Sequence, residues 1–164
     1  MKYYLAYGSN LHVAQMKRRC PDAKAVGTAW LKGWRLAFRG SKTGAYLTII
    51  PDGRAKTPVG VWEISDSDER ALDYYEGFPT FYGKREFTLV MQPLALAEPQ
   101  RAITGLAYIM DETRPAGIPS ERYVSVCATG YDCFGFDKTP LLRAVGTALG
   151  EKPIRQTRRK KVSV

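Results

Sequence analysis

Residues 3–11 read YYLAYGSNL, so the chain passes here from an apolar run into a short polar turn. The apolar run predicts a first strand over Lys2–Tyr7, and the following residues predict a short helix over Leu11–Arg19. Gly8 permits backbone angles that other residues avoid, while Ser9 and Asn10 are residue types that cap helices. Because N–H groups are left unpaired where a helix begins, this junction can bind an anion. The same pattern also fits plain helix capping.

A second feature is Glu76, which lies in the run LDYYEGFP at residues 72–79 and closes a predicted helix before Gly77. The C-terminal end of a helix carries partial negative charge, which opposes an ionised carboxylate. Burial would disfavour the charged form further and raise the pKa of Glu76 into the range of a general acid or base. The aromatic residues expected around it are Tyr75, Phe78, Phe81 and Tyr82. The alternative is a surface Glu at a frayed helix end, which periodicity does not exclude.

Together the two features describe an acyl-transfer site without a protein nucleophile. Backbone donors at Gly8, Ser9 and Asn10 can bind a carboxylate or stabilise an oxyanion, while Glu76 moves a proton. A Ser9 nucleophile would need an adjacent base, and the sole histidine, His12, is predicted on the following helix. If the substrate brings its own nucleophile, intramolecular attack has a large proximity advantage.

The composition predicts one soluble domain. The chain has 164 residues, of which 45% are apolar, and it contains no apolar run long enough to cross a bilayer. The N-terminus lacks the pattern of a secretory signal, so we expect a cytoplasmic protein. The three cysteines, Cys20, Cys127 and Cys133, form no Cys-x-x-Cys pair, and there is one histidine. These counts argue against a zinc site.

The basic charge is concentrated at the C-terminus. The whole chain carries +9, whereas residues 151–164 alone hold six Lys or Arg and one Glu, a net charge of +5. The run RRKK at residues 158–161 could contact phosphates, but a short basic terminus is more often a solvated, disordered end. We therefore expect a domain over residues 1–150 and a basic tail over residues 151–164, with no membrane association and no nucleic-acid contact outside this tail.

Short β-rich segments separated by Gly, Pro or Asp predict a largely antiparallel sheet. After the first strand they are Ala25–Leu31, Trp34–Arg39, Tyr46–Pro51, Val59–Ile64, Phe81–Pro93 and Ala102–Met110. Helices are predicted from the Ser65 cap to the Gly77 stop, from Ser120 to about Gly130, and over Thr139–Leu149. Six or seven strands with three or four helices, without strict alternation, favour an α+β fold with a closed or strongly curled sheet.

Three motifs, taken in order, resemble the γ-glutamylcyclotransferase-like proteins, which include γ-glutamylamine cyclotransferases and AIG2-like proteins. They are YGSNL at residues 7–11, GVWEI at residues 60–64 and LDYYEGFP at residues 72–79, followed by Tyr82 and Arg85. Each motif is short, but their order and spacing agree as well. The resemblance covers most of residues 1–150.

The resemblance implies a small, mixed but mostly antiparallel β-barrel flanked by three or four helices. It also implies cleavage of a small γ-glutamyl compound by its own α-amine, giving 5-oxoproline and a free amino acid or amine, without a metal or organic cofactor. Glu76 matches the family's acid/base residue. Tyr7, Gly8, Ser9 and Asn10 match the loop that receives the γ-glutamyl group, and Tyr123 matches a helix-borne tyrosine that hydrogen-bonds the substrate.

Two other functions stay open at this stage. The leaving group could instead be a biosynthetic intermediate or an ε-linked lysine, with specificity set by Gly77–Lys84 and by loops at residues 40–46 and 94–101. Alternatively, the fold could be a non-catalytic ligand-binding module whose basic tail contacts nucleic acid or an acidic protein.

Several conspicuous residues have simpler structural interpretations. The three tryptophans, Trp30, Trp34 and Trp62, are expected in the core. Arg85 is expected as an exposed charge rather than a partner of the substrate, and Cys127 and Cys133 as buried small side chains.

Overall fold

A computed structural model describes the backbone of residues 1–41 and 44–162, and the side chains of residues 1–40 and 44–150. Its strands are β1 (Lys2–Ala6), β2 (Lys24–Ser41), β3 (Gly44–Ile64), β4 (Tyr82–Pro93) and β5 (Arg101–Met110). Its helices are α1 (Val13–Arg19), α2 (Asp66–Glu76), α3 (Glu121–Phe134) and α4 (Thr139–Val162), with a 3₁₀ turn at Ser9–Leu11. Within the described residues, none of the helices combines the length and hydropathy needed to cross a bilayer.

The strands close into a barrel in the order β1-β3-β2-β4-β5. Antiparallel pairing joins β1 to β3, β3 to β2, β2 to β4 and β4 to β5. The barrel closes through a parallel pair, in which Tyr3 and Tyr4 of β1 lie opposite Gly105 and Leu106 of β5. This architecture confirms the predicted α+β class with a mixed, mostly antiparallel barrel and four flanking helices.

The long hairpin of β2 and β3 replaces four of the predicted strands, so the prediction of six or seven strands was wrong. The register shifts where Lys32 pairs with Lys56 and Trp34 with Pro51, leaving Gly33 opposite residues 52–55. Gly33 adopts a φ of +86°, which glycine tolerates because it has no side chain. The turn signals at Gly33 and Asp52 therefore mark a bulge within continuous strands.

The core contains the barrel interior and the inner faces of α2, α3 and α4, including Leu5, Val61, Leu72, Tyr131 and Leu141. Trp62 is buried as expected and Trp34 is half-buried, but 45% of Trp30 is exposed, because Trp30 lies on the outer face of β2 with Lys56 above its ring. Cys127 is buried, whereas Cys133 is exposed, so the prediction was wrong for Cys133.

The C-terminal helix is longer than predicted. It was expected to end at Leu149 but continues to Val162, into the basic segment. The side chains of residues 151–164 lie outside the described part of the structure, so the tail's role stays a prediction.

Candidate active site

One cavity of about 510 Å³ opens at the end of the barrel where β1 finishes. Eight of the chain's ten tyrosines line it. They are Tyr4, Tyr7, Tyr46, Tyr74, Tyr75, Tyr82, Tyr108 and Tyr123, and the remaining lining residues are Gly8, Ser9, Asn10, Leu47, Glu76, Gly77 and Phe81. Among the described residues, Glu76 is therefore the one carboxylate in a wall of aromatic rings, hydroxyls and backbone.

The turn after β1 lines this cavity and carries backbone N–H groups that have no partner among the described residues. The 3₁₀ turn is closed by bonds from the Leu11 N–H to the Gly8 carbonyl and from the His12 N–H to the Ser9 carbonyl, each 3.0 Å long. Among the described residues, the N–H groups of Gly8, Ser9 and Asn10 have no protein acceptor. Three donors in succession can hold a carboxylate or a developing oxyanion.

One detail of the predicted turn was wrong. Ser9 and Asn10 do not cap the following helix; the cap of α1 is His12, whose Nδ1 accepts the Gln15 N–H at 3.2 Å. Gly8 has φ and ψ of −129°, outside the helical and extended regions that most residues occupy, as predicted. A Cβ at Gly8 would also lie 3.4 Å from the Tyr123 hydroxyl, so the missing side chain leaves space inside the cavity.

Helix α3 and strand β3 hold the turn in place. Gly130 of α3 packs so closely that a Cβ there would come within 2.6 Å of the Leu11 side chain and 2.7 Å of the His12 nitrogen. From β3, the Trp62 indole Nε1 donates to the Asn10 carbonyl at 3.1 Å. Because both contacts come from packed elements, the backbone of the turn is held in place.

Glu76 is the last residue of α2. The helix begins as predicted, with a Ser65 cap and acidic residues in its first turn, and ends at Gly77, which adopts the left-handed conformation with φ of +64°. The Phe78 N–H donates to the Asp73 carbonyl at 2.9 Å, which completes this stop. No basic residue lies in the last turn, so nothing on α2 itself offsets the negative end of the dipole near Glu76.

The Glu76 side chain is half-buried, and its burial raises the pKa of the carboxyl group to about 7. The positive charge of Arg19 acts in the opposite direction and limits the rise in pKa. The nearest donor is the Asn10 amide, with Nδ2 at 3.4 Å from Oε1. Phe78 does not contribute as expected, because its ring lies beneath Lys84 outside the cavity.

Another part of the cavity wall is held by hydrogen bonds between tyrosine hydroxyls and main-chain atoms of Leu47 and Tyr108. The Leu47 N–H donates to the Tyr123 hydroxyl at 3.1 Å, and the Leu47 carbonyl accepts from the Tyr82 hydroxyl at 2.8 Å. The Tyr7 hydroxyl donates to the carbonyl of Tyr108. Helix α3 and strands β3, β4 and β5 are thereby joined around one space.

All six residues predicted for the site line this cavity: Tyr7, Gly8, Ser9, Asn10, Glu76 and Tyr123. Their individual roles stay predictions. Gly77, Phe81 and Tyr82 line it as expected for the segment at residues 77–84, and Tyr46 does so at the edge of residues 40–46, but no residue of 94–101 is in the wall. Arg85 is exposed and packs near Trp34, away from the cavity.

Sequence reasoning missed part of the tyrosine wall and also Arg19. Tyr4 and Tyr108 come from strands in which their spacing is the same as that of core residues. Arg19 looked like an ordinary charge at the end of a helix, although it donates to the Asn10 side chain. The available signal was the count of ten tyrosines, because each buried tyrosine hydroxyl needs a hydrogen-bond partner.

The geometry can also be compared with what a Ser/His catalytic pair and a metal site would require. His12 is engaged as a helix cap and does not line the cavity, while the Ser9 hydroxyl lies 3.4 Å from the Tyr75 hydroxyl, so the arrangement argues against a Ser/His pair. Within the residues that the structure describes, no group of three His, Cys, Asp or Glu side chains is arranged to hold a metal ion.

Comparisons with solved structures agree on the fold. A protein described as gamma-glutamyl cyclotransferase shares 24% identity, with a TM-score of 0.69 over 87% of this chain and 83% of its own. An uncharacterised protein from Homo sapiens shares 26% identity, with a TM-score of 0.68 and the same coverage. YkqA from Bacillus subtilis shares 20% identity with a TM-score of 0.68, over 89% of this chain and 54% of its own.

Sequence comparison identifies the family. Among curated proteins, no sequence matches this chain significantly. The model of the family described as "Gamma-glutamyl cyclotransferase, AIG2-like" matches residues 4–125, which include the turn after β1, the end of α2 and Tyr123. The chain therefore belongs to the gamma-glutamyl cyclotransferase, AIG2-like family.

Proposed function

We propose that this protein is a γ-glutamyl cyclotransferase that converts a γ-glutamyl amino acid or amine into 5-oxoproline and the free amino acid or amine. One observation carries the proposal: the Glu76 carboxyl group, with a pKa of about 7, shares a cavity with the unpaired N–H groups of Gly8, Ser9 and Asn10. A carboxyl group with this pKa occupies both protonation states near neutral pH, so it can accept a proton and return it.

In the proposed complex, the glutamyl end of the substrate lies against the turn after β1. The N–H groups of Gly8, Ser9 and Asn10 donate to its oxygens, and the Tyr123 hydroxyl, which lies beside Gly8, adds a side-chain contact. This seating folds the substrate so that its α-nitrogen approaches its own γ-carbonyl carbon. Holding reacting atoms at close range lowers the barrier because the entropy of bringing them together has already been lost.

Glu76 carries the protons in the proposed reaction. Its carboxylate takes a proton from the α-ammonium group, and the neutral amine attacks the γ-carbonyl carbon to form the new ring C–N bond. The negative charge that develops on the carbonyl oxygen is stabilised by the backbone N–H groups. The original C–N bond then breaks as Glu76 protonates the departing nitrogen. Two protons in all pass from the attacking nitrogen to the released amine, and Glu76 ends as a carboxylate.

Incubation with a panel of γ-glutamyl dipeptides and γ-glutamylamines, with 5-oxoproline measured by mass spectrometry, tests the proposal. We expect at least one compound to give 5-oxoproline and its free amino acid or amine in equal amounts. The Glu76→Gln protein, prepared in the same way, supplies the background rate. If the folded protein binds these compounds but forms 5-oxoproline from none of them, the proposed enzymatic function is wrong.

The binding-module hypothesis makes a different prediction about the basic segment. Replacing Arg158, Arg159, Lys160 and Lys161 by Gln in the 164-residue chain removes four of the six positive charges of residues 151–164. A cyclotransferase that works in the cavity should keep its rate of 5-oxoproline formation. A module that contacts nucleic acid through this segment should lose salt-dependent binding, measured with a fluorescent oligonucleotide at several salt concentrations.

A further inference from the structure

Arg19 lies just outside the cavity and contacts two residues of its wall. It is the last residue of α1, half-buried, and its guanidinium carbon is 3.4 Å from the centroid of the Tyr75 ring. One guanidinium nitrogen, Nη1, donates to the Asn10 side-chain oxygen, Oδ1. Arg19 itself is not part of the cavity lining, so any effect it has on the cavity passes through Asn10, Tyr75 and its charge.

The contact with Arg19 decides which way the Asn10 amide points. A guanidinium group can only donate hydrogen bonds, so the amide must present its oxygen to Arg19 and its nitrogen to the opposite side. There, Nδ2 lies 2.9 Å from the Tyr4 hydroxyl and 3.4 Å from Glu76 Oε1. Without Arg19, the amide could turn over and place its oxygen against the Glu76 carboxylate.

We propose that Arg19 is a positioning residue, which holds the Asn10 amide so that its nitrogen faces Glu76 and keeps the Tyr75 ring beside Ser9. This inference rests on the proposed function for one point, that Glu76 is catalytic. The planar, stacked guanidinium fits both contacts at once, whereas a lysine ammonium group supplies the charge without the planar face or the paired donors.

The charge of Arg19 gives the proposal a measurable consequence. The groups that face Glu76 from the surrounding elements are Arg19 of α1, Tyr4 of β1, Tyr7 of the following turn, Tyr82 of β4 and Tyr123 of α3. Burial raises the pKa of each of these tyrosines, so they are neutral near pH 7. Arg19 is the charged member of this set, and its removal should raise the pKa of Glu76 further.

The test compares Arg19→Gln, which removes charge and geometry, with Arg19→Lys, which keeps the charge. Arg18→Gln is the matched control, because Arg18 is the exposed neighbour on the same helix. The first measurement needs no substrate: the Glu76 carboxyl carbon is titrated by NMR in protein labelled at glutamate, and its signal is assigned by its loss in Glu76→Gln. The second is the pH profile of kcat/KM for 5-oxoproline formation.

In Arg19→Gln we expect the pKa of Glu76 to rise by roughly one unit and the acidic limb of kcat/KM to move with it. In Arg19→Lys the pKa should stay close to the wild-type value, while kcat/KM falls roughly tenfold, because Asn10 and Tyr75 lose their planar partner. Arg18→Gln should change neither. A role confined to folding would lower the amount of active protein without moving the pKa.

An unmoved pKa in Arg19→Gln, or an unchanged kcat/KM in Arg19→Lys, would overturn the proposal. If Arg19→Gln fails to fold, Arg19→Lys decides through its rate. If wild-type protein forms no 5-oxoproline and the pKa nevertheless rises in Arg19→Gln, the proposed function fails while the action of Arg19 on Glu76 stands. If 5-oxoproline forms and neither variant differs from wild type, the function stands and the role of Arg19 fails.

Discussion

The two ends of α2 each carry a carboxyl group, but Asp68 at the start is buried in the fold, whereas Glu76 at the end lines the cavity. At the start, Asp68 is 1% exposed, and its two oxygens accept the N–H groups of Ser65 at 3.2 Å and Asp22 at 3.4 Å. The Asp68 N–H in turn donates to the Ser65 hydroxyl at 3.1 Å, which completes a capping box. The helix dipole favours a negative charge at this end.

At the other end of α2, the dipole opposes the charge of Glu76, and one long contact from Asn10 is the hydrogen bond that it receives from the described residues. Burial therefore does not by itself mark a functional carboxylate. Both oxygens of Asp68 accept backbone N–H groups, so its role is to stabilise the fold. Glu76 can accept further hydrogen bonds and has a pKa of about 7, so it is available to bind a ligand and to transfer a proton.

The largest effect should come from making the same isosteric change at both ends. Glu76→Gln should lower turnover at least roughly 10²-fold, because the amide cannot take up or return the proton. Asp68→Asn should leave turnover per folded molecule close to wild type, and so should Glu86→Gln, a change at an exposed glutamate on β4. Steady-state formation of 5-oxoproline measures all three. Near-native turnover in Glu76→Gln would remove the contrast between the two ends.

The free energy of unfolding should depend on Asp68 more than on Glu76, the reverse of what we expect for turnover. Asp68→Ala removes the acceptor for two backbone N–H groups in a buried position, so we expect a loss of about 1–3 kcal/mol in the free energy of unfolding. Urea denaturation at pH 7 measures this loss, and thermal unfolding should follow it by about 2–4 °C for each kcal/mol. Glu76→Gln should lose no stability at this pH. A loss there as large as in Asp68→Ala would make Glu76 a structural residue too.

The donors opposite Glu76 can be tested at Gly8. A methyl group in Gly8→Ala would lie 3.4 Å from the Tyr123 hydroxyl and 3.5 Å from the Leu47 Cβ, in the space assigned to the glutamyl end. We expect kcat/KM to fall by at least roughly 10-fold, since one added carbon in a fitted pocket has effects of this order. Gly53→Ala is the matched control, because its Cβ would meet no atom within 4 Å. Equal rates in both variants would contradict a substrate at Gly8.

The smallest effect concerns the pH dependence of stability. The pKa of Glu76 rises on folding from its usual value of 4.5 to about 7, so the folded state holds the proton more tightly than the unfolded state. Its favourable contribution is complete below pH 4.5 and is lost as the pH rises through about 7. Between pH 5 and pH 8, the Tm of wild type should therefore fall by more than that of Glu76→Gln. If the two proteins gave parallel curves of Tm against pH, the pKa of Glu76 would not be raised on folding.

The features that local sequence signals determine were predicted best. The start of α2 at a serine followed by acids and its end at Gly77 depend on neighbouring residues alone, and both were located correctly. The prediction failed where pairing across the sheet overrides local signals, as at Gly33, where a turn-like glycine lies inside a continuous strand. Ser9 and Asn10 were assigned as caps because their residue types favour it, although the 3₁₀ turn places His12 at that position.

The candidate site divides in the same way. The turn after β1 and Glu76 lie in short motifs, so the sequence alone indicated them. Tyr4 and Tyr108 reach the cavity only because the barrel closes, and no spacing along the chain encodes that closure. The contact between Arg19 and Asn10 could not be predicted from the sequence either, since it depends on a 3₁₀ turn that brings Asn10 back towards the end of α1.

The two phenol groups bound to the peptide of Leu47 give the cavity a rigid back wall. The wall is set by main-chain atoms, so exchanging the side chain at position 47 should leave its spacing unchanged. The rim is built differently: Tyr74 is 91% and Tyr46 39% exposed, and among the residues that the structure describes neither hydroxyl binds the main chain. Under the proposed function, changes at rim residues would therefore alter which group is released, while the chamber proposed for the glutamyl end would keep its shape.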